Sequence, residues 1–137
     1  MNNIVSVRLV SIPELQRDFK LFNVRIRGGV VKALQASALN IMNNAKKACP
    51  VDTGILRASI RPVFYNNGLT VHVGTDVYYS AFVEFGTGRR GAASSHAPLP
   101  DTYAHGPKPG MRAQPYLYPA VVIEEPKLIA KLKDVFK

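Results

Sequence analysis

Apolar residues recur along the chain with two different periods, and the changes of period mark the elements. Between residues 4 and 12 they alternate, with Val5, Val7 and Leu9 on one side and Arg8 on the other, which predicts a short strand. Ser11-Ile12-Pro13-Glu14 then matches a capping box, in which the Ser11 hydroxyl accepts from a free first-turn amide and Glu14 reaches back. Leu15, Phe19 and Phe22 follow at helical spacing, and Gly28-Gly29 breaks that pattern. From Val30 to Ala48, the positions Val30, Val31, Leu34, Ala38, Ile41, Met42 and Ala45 mark one face of a long amphipathic helix. Pro50 ends it, because its ring disfavours helix at the residue before.

Alternation returns from Arg57 to Asn66, with Ala58, Ile60 and Phe64 opposite Ser59, Arg61 and Tyr65. Asn67-Gly68 predicts a type I′ hairpin turn, since both residues tolerate positive φ. Leu69, Val71 and Val73 form the apolar side of the return strand. Pro62 lacks a donor, which puts the first of the two strands at a sheet edge or gives it a bulge. Tyr78, Phe82 and Phe85 share helical spacing in a short segment. Gly86 to Pro115 shows no sustained period and holds half of the ten glycines and half of the ten prolines. A loop of that length is usually functional or disordered. Pro119 to Phe136 is helical again, with Leu128, Ile129, Leu132, Val135 and Phe136 on one side, and Pro126 either kinks it or opens a second helix. The expected fold class is α+β: a small antiparallel sheet built on the hairpin, packed by the long helix and the C-terminal helix, plus the extended loop.

At 137 residues and 15.0 kDa, with 47% apolar and 20% charged residues, the chain suits one globular domain over 1–137. This balance argues against disorder throughout and against a disulfide-built miniprotein, and Cys49 has no second cysteine to pair with. The N-terminus shows no basic region leading into an apolar stretch, and every apolar run is far below the ~20 residues of a membrane helix. An intracellular product with no membrane contact is expected. Eighteen Lys and Arg against nine Asp and Glu give a formal charge of +9, which attracts acidic partners of any class.

Candidate chemistry is sparse. Asp52-Thr53-Gly54 is the triplet of aspartic proteases, but one copy in a short chain supplies a single carboxylate unless the chain dimerises. It follows a helix end and Pro50, so the simpler reading of Asp52, Thr53 and Gly54 is a structural turn whose side chains satisfy nearby amides. His72, His96 and His105 have no ligand spacing with Cys49, so no metal and no cofactor is implied, and each reads as a solvated histidine. Ser94-Ser95-His96 lacks a third member for nucleophilic catalysis. Gly86-Thr87-Gly88-Arg89-Arg90-Gly91 lacks the strand, the following helix and the Lys-Ser/Thr end of a phosphate loop. Arg89, Arg90, Lys108 and Arg112 could follow nucleic-acid phosphates, which keeps a basic nucleic-acid-binding module as the alternative function. Tyr103 is the only loop aromatic before Tyr116, a poor platform for stacking bases.

Three blocks in order give the chain a resemblance. Ala45-Lys46-Lys47-Ala48-Cys49-Pro50-Val51-Asp52-Thr53-Gly54-Ile55-Leu56-Arg57-Ala58-Ser59-Ile60 is similar to the "AK…PVDTG-x-LR-x-SI" core of the tailed-phage neck family, the small head–tail joining or tail-completion proteins of long-tailed phages and prophages. Val73-Gly74-Thr75 with Tyr78 to Thr87 resembles its "VGT…YA-x-x-VEFGT" block, and Gln114 to Ala120 its "xPFLxPA" element. The departures are mild: Tyr79-Ser80 for Tyr-Ala, and Pro115-Tyr116-Leu117 for Pro-Phe-Leu.

The resemblance implies a virion structural protein of the neck and no enzyme. Copies would form a closed ring, six-fold by the symmetry of a tail tube. The ring would cap the tail tube protein, meet a head connector or stopper protein, and leave a channel through which DNA passes without sequence-specific contact. Assembly in the host cytoplasm follows from the same reading. Glu84, the one acid in an aromatic-apolar run, needs a partner when buried. Arg57 of the same subunit or a residue of a neighbour is the natural choice, so Glu84 would fix subunit register. The expected subunit or partner interface comprises Glu84, Arg57, Arg89, Arg90, Lys108, Arg112 and Tyr116. With only Asp101 against four cations, the loop carries a minor part of the +9. Most of the excess therefore belongs to the folded part, as a basic subunit surface.

Overall fold

The structure, a computed structural model, describes residues 5–9, 24–95, 97–101 and 103–137. The capping box at Ser11 to Glu14, the helical spacing of Leu15, Phe19 and Phe22, and His96 lie outside the described residues. The elements in chain order are β1 (Val5–Leu9), α1 (Val24–Ala48), α2 (Ile55–Ser59), β2 (Arg61–Tyr65), β3 (Thr70–Thr75), α3 (Ser80–Phe85), α4 (Gly88–Ser94) and α5 (Leu117–Val135). The architecture is α+β, as the pattern predicts. One antiparallel sheet has the order β1-β3-β2, with Val7 opposite Val73 and Phe64 opposite Val71. Pro62 therefore sits in an edge strand, where its missing donor breaks no ladder.

The core lies between the sheet and two helices. Val30, Leu34, Ala38, Ile41 and Ala45 form the buried stripe of α1, which packs most heavily on α5 and next on β3. Val71 and Val73 meet that stripe from the sheet, and Leu117, Ala120 and Leu128 meet it from α5. Burial of a Leu or Ile side chain at such a position stabilises by about 1.5–3 kcal/mol.

Several expectations need correction. α1 does not break at Gly28-Gly29 but runs through it. A side chain at Gly29 would come within 2.9 Å of Val135, so the glycine lets the end of α5 approach closely, and packing outweighs the helix propensity lost. The strand expected from Arg57 begins only at Arg61, because residues 55–59 form α2. The turn between β2 and β3 has the I′ features expected at Asn67-Gly68, although the strand ladder closes one pair further out, at Tyr65 and Thr70. Residues 66–69 form it, with Asn66, Asn67 and Gly68 all at positive φ and Leu69 N–H donating to Asn66 O at 3.2 Å. Lastly, Pro126 lies inside a single helix α5, and its missing N–H leaves the carbonyl of the exposed Val122 without its helical donor. Ile129 and Phe136, expected on the apolar side with Leu128, are 47% and 41% exposed.

The Gly86–Pro115 stretch also departs from expectation. It is not without regular structure, since α4 opens inside it, and its far end folds back over its start. Thr87 and Met111 exchange backbone hydrogen bonds at 2.8 and 3.0 Å. Arg89 and Arg90 N–H donate to Lys108 and Pro109 O at 2.8 and 2.9 Å, and Gly88 N–H donates to His105 O. Tyr103 donates its hydroxyl to Gly86 O and packs its ring on Phe85 at 5.1 Å. The crossing requires glycine. A side chain at Gly88 would stand 2.0 Å from Lys108 O, and one at Gly110 would stand 2.0 Å from Thr87 O, both at positive φ. The two backbones form a clasp.

Gly88→Ala should therefore cost more than Gly106→Ala, where φ is also positive but nothing lies within 4 Å of the added carbon. We expect about 1–2 kcal/mol for the left-handed backbone alone at Gly106. Gly88 should cost at least ~2 kcal/mol beyond that, as a backbone clash cannot relax cheaply. Urea unfolding of both variants measures the difference, and equal losses would contradict the clasp.

Candidate functional site

Two buried glutamates hold α5, and their geometry decides what the remaining polar residues can do. Glu84, on α3, is 2% exposed. Its Oε2 accepts the backbone N–H of Tyr116 and Leu117 at 2.9 and 3.0 Å, and its Oε1 accepts that of Tyr118 at 2.9 Å. These are amides that the start of a helix leaves without partners. The positive end of the α5 dipole adds to the attraction. The expected arginine partner is thus replaced by backbone, and Arg57 is exposed with no ion pair to Glu84 among the described residues. Glu84 and Tyr116 are both buried within the chain.

Glu124 is fully buried between α1 and α5 and was not anticipated. Its Oε1 accepts from Lys131 Nζ at 3.0 Å and Asn40 Nδ2 at 3.2 Å, and Lys131 also donates to Ser37 Oγ at 3.2 Å. Burial pushes this carboxyl up. The hydrogen bonds from Lys131, Ser37 and Asn40, with the Lys131 charge, outweigh it and hold Glu124 below the usual value of 4.5. Its spacing from Leu117, Ala120 and Leu128 was the available signal, since all four share one face of the helix.

The Asp52-Thr53-Gly54 triplet is a turn. Gly54 lies at φ +83° and precedes α2, whose Ala58 N–H donates to Gly54 O at 2.9 Å. Asp52 and Thr53 are exposed, with Thr53 Oγ1 accepting weakly from Ile55 N–H at 3.4 Å. Burial raises the Cys49 thiol, so it stays protonated at the foot of this turn. Of the histidines, His105 is not a solvated side chain: its Nε2 donates to Phe85 O at 3.0 Å, and its ring meets Tyr103 edge-on. His72 packs on Tyr65 at 5.0 Å on the open face of the sheet. No group of three potential metal ligands exists among the described residues.

The cations Arg89, Arg90, Lys108 and Arg112 are exposed, and the clasp brings their backbones together. Arg90 and Arg112 line one cleft of about 360 Å3 with Ala93 and Ser94. Ser94 Oγ holds the cleft wall by donating to Arg90 O at 2.7 Å and accepting Ala113 N–H at 2.8 Å. A helix does open within Gly86-Thr87-Gly88-Arg89-Arg90-Gly91, contrary to expectation. Its first amides are already bonded to carbonyls of residues 105–111, which leaves no cradle for a phosphate.

The three sequence blocks meet in space. Ser59 of the first and Thr75 of the second share a hydroxyl–hydroxyl bond, and Ser59 also donates to Leu56 O at 2.7 Å. Thr75 Oγ1 accepts Val77 N–H at 3.1 Å at the chain's exit from β3. Glu84 joins the second block to the third. The blocks mark joints between elements.

A family model, HK97-gp10-like, described as "Bacteriophage HK97-gp10, putative tail-component", matches residues 14–86. The first block and nearly all of the second fall within that match, while the third lies beyond it. No curated protein and no solved structure matches the chain.

Glu84→Gln keeps one carbonyl acceptor and loses the charge, so stability should fall by about 1–3 kcal/mol in urea unfolding. An unchanged midpoint would contradict the role assigned to Glu84. Glu124 makes a pH prediction. Its folded value is depressed, so its contribution is complete above about pH 4.5 and is lost as pH falls through the folded value. Lys131→Met removes the compensating charge. The stability gap between wild type and this variant should be widest near neutral pH and narrow as acidification protonates Glu124. A gap constant with pH would rule out the ion pair as its source.

Proposed function

The chain belongs to the HK97-gp10-like family of phage tail components, and from that premise we propose that it is a structural protein of the virion neck. Copies close into a ring, six-fold to match a tail tube, that terminates the tube and presents a face to the head connector or stopper. DNA passes through the ring without sequence-specific contact, and assembly takes place in the host cytoplasm. The observation that carries this reading is the family match together with where its motif residues lie: Asp52 to Ser59, Thr75 and Glu84 serve turns and helix joints. Such a scaffold performs by holding shape, and no turnover is required of it.

What remains exposed suits assembly. Arg89, Arg90, Lys108 and Arg112 stand on a platform fixed by backbone bonds, so they meet a partner with little ordering still to be lost. Tyr103 is turned inward onto Phe85 and is spent on Gly86 O, which removes the one loop aromatic available to stack on bases.

Removal of this chain from the phage that encodes it should leave filled heads and separate tails in the lysate. Images of intact particles should place it at the head–tail junction in a closed ring. Infectious particles assembled without it, or a position along the tail away from the junction, would overturn the reading.

A further inference from the structure

We propose that the tip of the Pro50–Ile55 turn of one copy seats Asp52 in the Arg90–Arg112 cleft of a second copy. The proposal rests on the ring reading and supplies the contact that would join its subunits. Seven carboxyl side chains lie among the described residues. Asp76, Glu124 and Asp134 are held in ion pairs, and Glu84 is spent on the start of α5. Among the described residues that leaves Asp52, Asp101 and Glu125 as acids for a second copy of a chain that carries +9. Arg90 and Arg112 make no ion pair among the described residues, so the cleft presents two cations without counter-charge.

Shape selects among the three acids. The cleft holds only about 360 Å3, which suits a projecting tip better than the flank of a cylinder. Glu125 lies in mid-helix on α5, beside Pro126 and Lys127. Asp101 belongs to the same loop as the arginines. Asp52 stands at the head of a turn whose left-handed Gly54 reverses the chain, and Val51 and Ile55 beside it are 56% and 59% exposed. An acid between two bare aliphatic side chains has the make-up of an interface centre, with the charge paired and the apolar flanks excluding water. Ala93 in the cleft and Met111 beside Arg112, 38% exposed, give those flanks something to meet. The guanidinium fork suits a carboxylate, which can bond two nitrogens at once. The triplet that resembles a protease motif thereby acts as a recognition tip.

Charge reversal tests the contact, because each copy carries both halves. Asp52→Arg alone, and Arg90→Asp with Arg112→Asp alone, should each weaken self-association at least about tenfold in sedimentation at low salt. Mixed one to one, the two variants offer every tip an opposite cleft, and association should return. That return also shows that both variants are folded. Three results would overturn the contact. One is association unchanged by either variant. Another is no recovery on mixing. The third is a wild-type chain that stays monomeric up to about 1 mM, far above the range of specific contacts. Salt-sensitive binding of random duplex DNA that is lost in Arg90→Asp, with self-association intact, would assign the cleft to nucleic acid instead. None of these outcomes bears on the neck position, which the particle image decides separately.

Discussion

A carboxylate taken out of water and a helix start left without partners are each unfavourable, and in this fold each cures the other. Glu84 is nearly inaccessible, yet both of its oxygens are filled by amides that would otherwise have none. Everything C-terminal to the clasp depends on this. The three bonds set where α5 begins and so which of its residues reach α1. Tyr116 and Leu117, which carry two of the bonded amides, are wholly buried in the core. Without Glu84 the start of α5 would still need solvation, and water has no access there.

A second polar joint lies further along the same helix. Glu124, Lys131, Ser37 and Asn40 bridge α1 and α5 where an all-apolar seam would have allowed sliding. Gly29 fixes the far end by admitting Val135. The long helix pair is therefore specified at three heights: a capped start, a buried ion pair and a glycine contact. Buried polar groups of this kind add register more surely than they add stability.

The parts legible in the sequence are those in which side chains carry the pattern. The stripe of α1 follows from its period, the edge position of β2 from Pro62, and the short α3 from Tyr78, Phe82 and Phe85. Glu84 could be recognised as buried, but its partners lie 32 to 34 residues away and are backbone atoms, which no side-chain pattern encodes. Gly28-Gly29 misleads for a related reason, as the residue that makes the helix worthwhile is Val135 at the other end of the chain. Residues 55–59 fit alternation and helix about equally, and the Ser59–Thr75 bond settles them as helix. The platform of cations came from backbone bonding around Gly88 and Gly110, visible beforehand only as an unusual density of glycine.

The clasp also dictates where this chain can grow. Its two halves, residues 86–91 and 105–113, are joined carbonyl to amide, so an added residue in either half shifts every later bond out of step. Pro98, Leu99 and Pro100 lie between the halves, exposed and outside that ladder. A peptide spliced there lengthens the path between the halves and leaves the fastening unaltered. The prolines that look like disorder thus sit at a natural port for an epitope or a fluorescent label, one that opens outward from a platform whose shape the insertion does not touch.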